Sequence, residues 1–261
     1  MTELRHPDVT AVVLAAGRGK RMKSDLAKVL HPMARRPLLA YVLEMLTELG
    51  TGRTVVVVGH QRERVREVFA AADVEWAVQA EQRGTGHAVM IAATALESCG
   101  ETLLVVCGDT PLLRASTLHD LLETHKRSQA DVTVLSMRLP DPTGYGRIVR
   151  AGLDGLERIV EHRDASPGQL AIDEVNSGIY AFRYAALTRV LSLLTAHNAQ
   201  GEYYLTDTVT LLRESGGRAS VVCAPDHREM IGINDLEQLE EAERTYRRLR
   251  AESQGTGESN E

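Results

Sequence analysis

Three uncharged apolar runs of strand length, at residues 10–15, 54–58 and 102–107, are separated by stretches with helical spacing of apolar residues. That alternation is the signature of parallel βαβ units. Run 54–58 is a threonine followed by four valines, which reads as a central strand covered on both faces. Pro37 opens a helix through Leu49, with apolar residues at Leu38, Val42, Met45, Leu46 and Leu49 and Gly50 just beyond. A charged helix over 61–71 and a strand over 74–79 follow. Gly84, Thr85 and Gly86 open a further helix to about Cys99, with Thr85 as its N-cap, and Ser116 caps another to about Arg127. With a strand at 132–138, the pattern predicts a doubly wound α/β fold with a mostly parallel sheet. Such sheets bind ligands at the C-terminal ends of their strands.

From Asp141 the texture changes to short strands and turns, at 147–150, 156–160 and 175–182. Residues 140–182 therefore read as a β-rich lobe inserted in a domain that spans 1–235. Helices at 184–194 and 204–215 and a strand at 219–223 return to the earlier pattern. A charged C-terminal helix covers 236–251, with Leu236, Leu239, Ala242, Tyr246 and Leu249 as its core-facing stripe. Residues 252–261, rich in Gly, Ser, Glu and Asn, read as a disordered tail.

The chain has 261 residues, 43% hydrophobic and 25% charged, as ordinary globular domains do. A net charge of −6 gives no general footing for nucleic acid, and no segment approaches a membrane span. A cytoplasmic location is expected. The three cysteines lie far apart and read as reduced, and His119 and His125 fall on different helix faces, so no histidine zinc site is expected.

Chemistry concentrates after the first run. The chain breaks at Gly17 and Gly19, and Arg18, Lys20, Arg21, Lys23 and Lys28 follow closely. Backbone N–H groups freed by a glycine turn can reach phosphate oxygens, and nearby cations neutralise them. The dinucleotide fingerprint fails because Met22 stands at its third glycine. The P-loop fails because Arg21, not Ser or Thr, follows Gly19-Lys20. A small polyanion such as a nucleoside triphosphate fits what remains.

Six stretches then carry a resemblance: 14–31, 79–87 (QAEQRGTGH), 108–112 (GDTPL), 141–148 (DPTGYGRI), 159–165 (IVEHRDA) and 198–204 (NAQGEYY). Together they resemble the uridyltransferase domain of N-acetylglucosamine-1-phosphate uridyltransferases over residues 9–246. The resemblance implies a Rossmann-like nucleotidyltransferase whose inserted lobe binds sugar. It implies transfer of uridylyl from UTP to N-acetylglucosamine-1-phosphate, with pyrophosphate released. Bringing two polyanions together at an effective dielectric of ~20 and ~5 Å repels each unit charge pair by roughly 3 kcal/mol, so cations are required.

By that resemblance Arg21 and Lys28 are the catalytic cations, and Asp109 and Asn234 hold Mg²⁺ through oxygen. Leu14, Ala16, Gly17, Gly19, Gln79, Gly84 and Thr85 bind the nucleotide, with the Gln79 amide on the uracil edge. Gly146, Glu161 and Asn176 hold the sugar; Glu161 ends an apolar run where a carboxylate without a partner is costly. Tyr145 and the loop 198–204 pack around the substrate. Relatives often have proline at the position of Ala27 and an aromatic residue at that of Cys107. Bifunctional relatives continue into an acetylating, trimer-forming β-helix; the 261 residues stop after the 236–251 helix, so no acetyltransferase activity and a monomer are expected. Two other readings compete: a nucleotidyltransferase for a different sugar-1-phosphate, and a non-catalytic sugar-nucleotide sensor.

Overall fold

The first apolar run lengthens into β1 (His6–Ala15), about which the sheet is built; the computed structural model describes residues 5–96, 99–152 and 155–255. A small hairpin of β2 (Pro32–Met33) and β3 (Arg36–Pro37) leads into α1 (Leu38–Leu49), which Gly50 ends at φ 70°. Then come β4 (Thr51–Val58), α2 (Arg62–Val68), β5 (Glu75–Val78) and α3 (Thr85–Ala93). β6 (Thr102–Cys107), α4 (Ala115–Ser128) and β7 (Val132–Arg138) complete the first half. The second half runs through β8 (Arg147–Ala151), β9 (Gly155–Val160), the single turn α5 (Pro167–Leu170) and β10 (Glu174–Arg183). It ends with α6 (Tyr184–Leu191), α7 (Asp207–Glu214), β11 (Ala219–Cys223) and α8 (Leu236–Gly255).

Among the described residues one large sheet has the order β5-β4-β1-β6-β10-β7-β11-β9-β8. β1 pairs in parallel with β4 on one side and β6 on the other, Val12 facing both Val55 and Val105. The chain therefore reverses its direction of travel across the sheet between β1 and β6. A crevice opens at such a switch point beyond the strand ends.

Alternate side chains of the buried strands feed two cores. Val13, Val56 and Leu104 pack with Leu46 of α1 and Leu118 and Leu121 of α4. Val12, Val55 and Val105 pack on the other face with Val89 of α3, Leu187 of α6 and Val209 of α7. A third cluster joins Met22, Met33, Leu38, Tyr41, Ile233 and Ala242, and so ties the basic loop and hairpin to α8.

The expectation of a mostly parallel sheet is corrected. β10 runs antiparallel between β6 and β7, Tyr180 facing Val105 and Val134, so the sheet is mixed. The sequence assigned this strand to the lobe because its neighbours in the chain are short. Its residues Ile179 to Phe182 are fully buried, however, and only a central position covers both faces. β8 and β9 extend the same sheet at its far edge.

Helix boundaries also shift. α3 ends at Ala93, before the expected Cys99, and positions 97 and 98 lie outside the described residues. Its N-cap is Gly84, with Thr85 already helical. Ser116 lies within α4, whose N-cap is Arg114 with no side-chain cap. α6 and α7 are shorter than expected at 184–191 and 207–214. α8 continues to Gly255, past the start of the expected tail, and 256–261 lie outside the described residues. On its stripe Ala242 is buried and Leu239 and Tyr246 are partly covered, whereas Leu236 is 48% exposed, because the core cluster begins one turn further on. No helix among the described residues is long and apolar enough to cross a membrane.

Candidate active site

After β1 the chain leaves the sheet through Ala16 and Gly17 into the basic loop. A 3-10 turn at Lys20–Met22 starts from Gly19, whose φ of 63° suits glycine. A Cβ at Gly19 would stand 2.9 Å from Lys28 Cβ, so the loop closes directly over the lysine stem. Met22 is fully buried in the third cluster. The residue that breaks the dinucleotide fingerprint is thus the loop's anchor. A second 3-10 turn, Lys28–Leu30, buries Val29 and Leu30 and leaves Lys28 at the cavity wall.

β6 delivers Asp109 to the same place. Gly108 N donates to Leu14 O at 2.9 Å, pinning the exits of β1 and β6 together. Asp109 O accepts from Ile233 N at 3.0 Å and so seats the segment before α8. Asn234 is held there by its own N on Gln238 Oε1 at 2.7 Å and its Nδ2 on Gly232 O at 2.9 Å. Asp235 caps α8, accepting from Gln238 N at 2.9 Å.

Lys28 closes this arrangement. Its Nζ forms an ion pair with Asp109 Oδ2, both side chains being 15% exposed, and donates to Asn234 Oδ1 at 2.7 Å across 206 residues of chain. A cation, the ammonium, thus stands between the carboxylate and amide oxygens that the resemblance marks as metal ligands. Hard divalent cations take such oxygen donors, with phosphate oxygens and waters completing the shell. The donor chemistry fits.

A cavity of about 260 Å³ opens between β1 and β6. Leu14, Ala16, Gly17, Gln79, Gly84 and Thr85 line it together with Lys28 and Asp109, so six expected nucleotide positions and two expected polar groups share one wall. Gly19 is not in that wall; it acts beneath, against Lys28. Gly84, at φ 106°, has Tyr203 O only 2.5 Å from where a Cβ would lie. There the 198–204 loop crosses the start of α3, with Tyr203 N donating to Arg83 O and Gly86 N to Tyr203 O, each at 2.8 Å.

The Gln79 and Thr85 expectations need revision. Gln79 is 3% exposed, and its Nε2 donates to Gly84 O at 3.0 Å and meets His87 Nδ1 at 3.1 Å. Both amide hydrogens are engaged within the chain, so only its carbonyl oxygen is left for a ligand. The Thr85 hydroxyl accepts from Leu205 N at 3.1 Å instead of capping α3. Gln79 was expected to both donate to and accept from the uracil edge, and Thr85 to cap α3 while its backbone served the nucleotide; both line the cavity, and their side chains also tie the loops around it together.

Gly146, Glu161 and Asn176 come together in a second group. Asn176 N donates to Gly146 O at 2.8 Å, and a Cβ on Gly146 would lie 3.4 Å from Glu161 Oε2. Asn176 Nδ2 donates to Tyr180 Oη at 2.7 Å, while its Oδ1 accepts from Gly178 N at 3.0 Å. Glu161 already has a partner, the Thr206 hydroxyl at 3.0 Å. Burial raises the Glu161 pKa, and the neighbouring carboxylate of Asp207 pushes the same way. None of the three lines the first cavity, but Gly178 meets Cys107 there: a Cβ on Gly178 would come within 3.0 Å of Cys107 Sγ. Burial lifts the Cys107 thiol to about 12, so it stays neutral.

Arg21 stands apart. It is exposed and outside the cavity wall, because on its short turn the adjacent Met22 takes the inward direction. Tyr145 lies within electrostatic reach of both Arg21 and Asp109; burial, first, and then Asp109 raise its phenol pKa. Arg21 thus lies outside the cavity wall but within electrostatic reach of Tyr145. Sequence reasoning did not name Gln82 in the wall or Thr206 on Glu161, and reached Glu202 only as part of the 198–204 loop. Gln82 and Glu202 sit inside quoted motifs and were findable; Thr206 lies outside them all.

A family model, the MobA-like NTP transferase domain, matches residues 11–171. Among curated proteins, the bifunctional protein GlmU of Thermobifida fusca is 52% identical over 239 residues, 89% of this chain and 49% of that protein. Proteins of the same name from Pelobacter propionicus and Geobacter metallireducens are each 48% identical over 242 residues, 92% of this chain and 53% and 51% of theirs. The chain spans about half the length of the curated relatives it matches. Identity at this level bears out the resemblance carried by the six stretches.

Proposed function

The chain belongs to the MobA-like NTP transferase domain family, and from that premise we propose that it transfers uridylyl from UTP to N-acetylglucosamine-1-phosphate, releasing pyrophosphate. One observation carries the reading: Lys28 Nζ lies between Asp109 and Asn234 at the mouth of the switch-point cavity. A phosphate oxygen of the sugar phosphate attacks the α-phosphorus, and the bond from that phosphorus to the β-phosphate oxygen breaks. Such a transfer needs positioning and charge stabilisation more than covalent help.

The backbone of Leu14, Ala16 and Gly17, with Gly84 and the Gln79 carbonyl oxygen, receives the base. Lys28 has a flexible four-carbon stem, and it exchanges Asp109 and Asn234 for phosphate oxygens when substrates arrive. Asp109 and Asn234 are then left to a divalent cation, proposed to be Mg²⁺, which when bound neutralises phosphate charge. Arg21 supports the triphosphate from outside the cavity wall. Glu161, Asn176 and Gly146 hold the sugar, Glu161 turning from Thr206 to a hydroxyl pair.

The test is pyrophosphate release with Mg²⁺ across a panel of sugar-1-phosphates and nucleoside triphosphates. The expected result is strongest turnover with UTP and N-acetylglucosamine-1-phosphate. Equal or better turnover of glucose-1-phosphate would remove the acetylated sugar, and UDP-sugar binding without turnover would make the protein a sensor.

A further inference from the structure

At the opposite end of the β1–β6 pair, a second group of side chains faces a cavity of about 530 Å³. His6 begins β1, and His119 and Glu123 stand one turn apart on α4. One potential ligand atom from each of the three lies within 4.8 Å of the others. His6 Nε2 and His119 Nδ1 already meet at 2.9 Å across 113 residues of chain, their rings 5.1 Å apart. Both rings sit on fixed backbone. His6 N donates to Gly50 O at 3.0 Å, and α4 is anchored by fully buried Leu118 and Leu121.

Against the expectation of no histidine zinc site, which local spacing on α4 suggested and the approach of His6 across 113 residues overturns, we propose that His6, His119 and Glu123 form a binding site for a divalent transition-metal ion of the zinc type, which clips β1 to α4 away from the proposed active site. Two imidazoles and a carboxylate suit zinc, not magnesium. Nitrogens about 2.0–2.1 Å from zinc at tetrahedral angles stand roughly 3.3 Å apart, so the present pair opens by only a few tenths of an ångström. The proton shared between the rings moves to an outer ring nitrogen, leaving a lone pair from each facing the metal. Glu123 is exposed, with a carboxylate oxygen within 4.8 Å of the ring nitrogens, and all three residues line the cavity, from which water would complete the coordination. His125, the other histidine of α4, is committed to Thr133 Oγ1 at 2.9 Å and takes no part.

Zinc binding by the full chain, measured by competition with a chromophoric chelator, tests this. One equivalent is expected to bind, and zinc should raise the melting midpoint because only the folded state brings the three residues together. His119→Ala and His6→Ala should each weaken binding by at least about a hundredfold, beyond what outer-shell losses cost. Glu123→Gln should weaken it less, and melting without metal checks that each variant folds. The cobalt(II) form should show tetrahedral bands without a thiolate charge-transfer band. Asp109→Ala should leave zinc binding unchanged. Zinc affinity unaltered in both histidine variants, a thiolate band, or no binding at all would overturn the proposal. All of these readouts are independent of uridylyl transfer.

Discussion

The two ends of the β1–β6 pair carry opposite kinds of site. At the C-terminal end, Asp109 and Asn234 offer oxygens from loops, held by backbone bonds such as Ile233 N to Asp109 O at 3.0 Å, with Lys28 between them. At the N-terminal end, His6 and His119 offer ring nitrogens from regular elements, at 2.9 Å. Oxygen donors on loops can exchange partners as substrates arrive. Nitrogen donors on a strand and a helix are already set and have little to do but hold. The contrast teaches that in a parallel sheet the strand exits hold adaptable chemistry, while the strand entries hold fixed contacts.

The largest effect should come from Asp109→Ala, with turnover falling on the order of 10³-fold and the melting midpoint moving by only a few degrees. Steady-state pyrophosphate release measures this, and near-normal rates would dissolve the distinction between the ends. Lys28→Met should lower kcat on the order of 10²-fold, with KM for UTP affected less. Because Lys28 competes for the Asp109 and Asn234 oxygens, the same variant should bind Mn²⁺ more tightly when nucleotide is absent. Weaker Mn²⁺ binding in that variant would show that Lys28 supports the cation site instead of competing for it.

Glu161→Gln should raise KM for the sugar phosphate about tenfold, the scale of one hydrogen bond to a charged group, with kcat changed less. The variant also reports on pH. Burial raises the folded pKa values of Glu161 and Asp207. Their contribution to stability is fully present below the ordinary carboxylate range and is lost as pH rises through the raised folded values. Denaturant midpoints of Glu161→Gln should therefore gain on the parent chain as pH rises from about 4 toward neutrality. A constant difference across that window would contradict the burial argument.

The smallest effects concern two helix starts. Asp235→Ala removes the α8 cap beside Asn234 and should lower stability by about 1 kcal/mol. Ser116→Ala, at an exposed position within α4, should change it by less than about 0.5 kcal/mol. Equal losses would show that both helix starts depend on side-chain caps.

Much of the fold was legible because strand identity is a local property. Strands 102–107 and 132–138 emerge with the bounds their apolar runs predict. β10 was misplaced because its pairing partners, β6 and β7, are remote in sequence, and periodicity says nothing about which strand lies beside which. The candidate site was legible where motifs supply backbone, at Leu14, Gly17 and Gly84, and where motifs carry charge, at Lys28 in the basic loop and Asp109 just past β6. The hydrogen-bond commitments of Gln79 and Thr85 were not, since their partners His87 and Leu205 become partners only after the chain packs.

By itself the sequence determined the apolar runs, the glycine breaks and the types of side chain available, because each depends on neighbouring residues. Tertiary structure alone decided which side chains meet: Lys28 with Asn234 at 2.7 Å, His6 with His119 at 2.9 Å, Thr206 with Glu161 at 3.0 Å. Those distances follow from long-range packing of helices on the sheet, which no local pattern encodes.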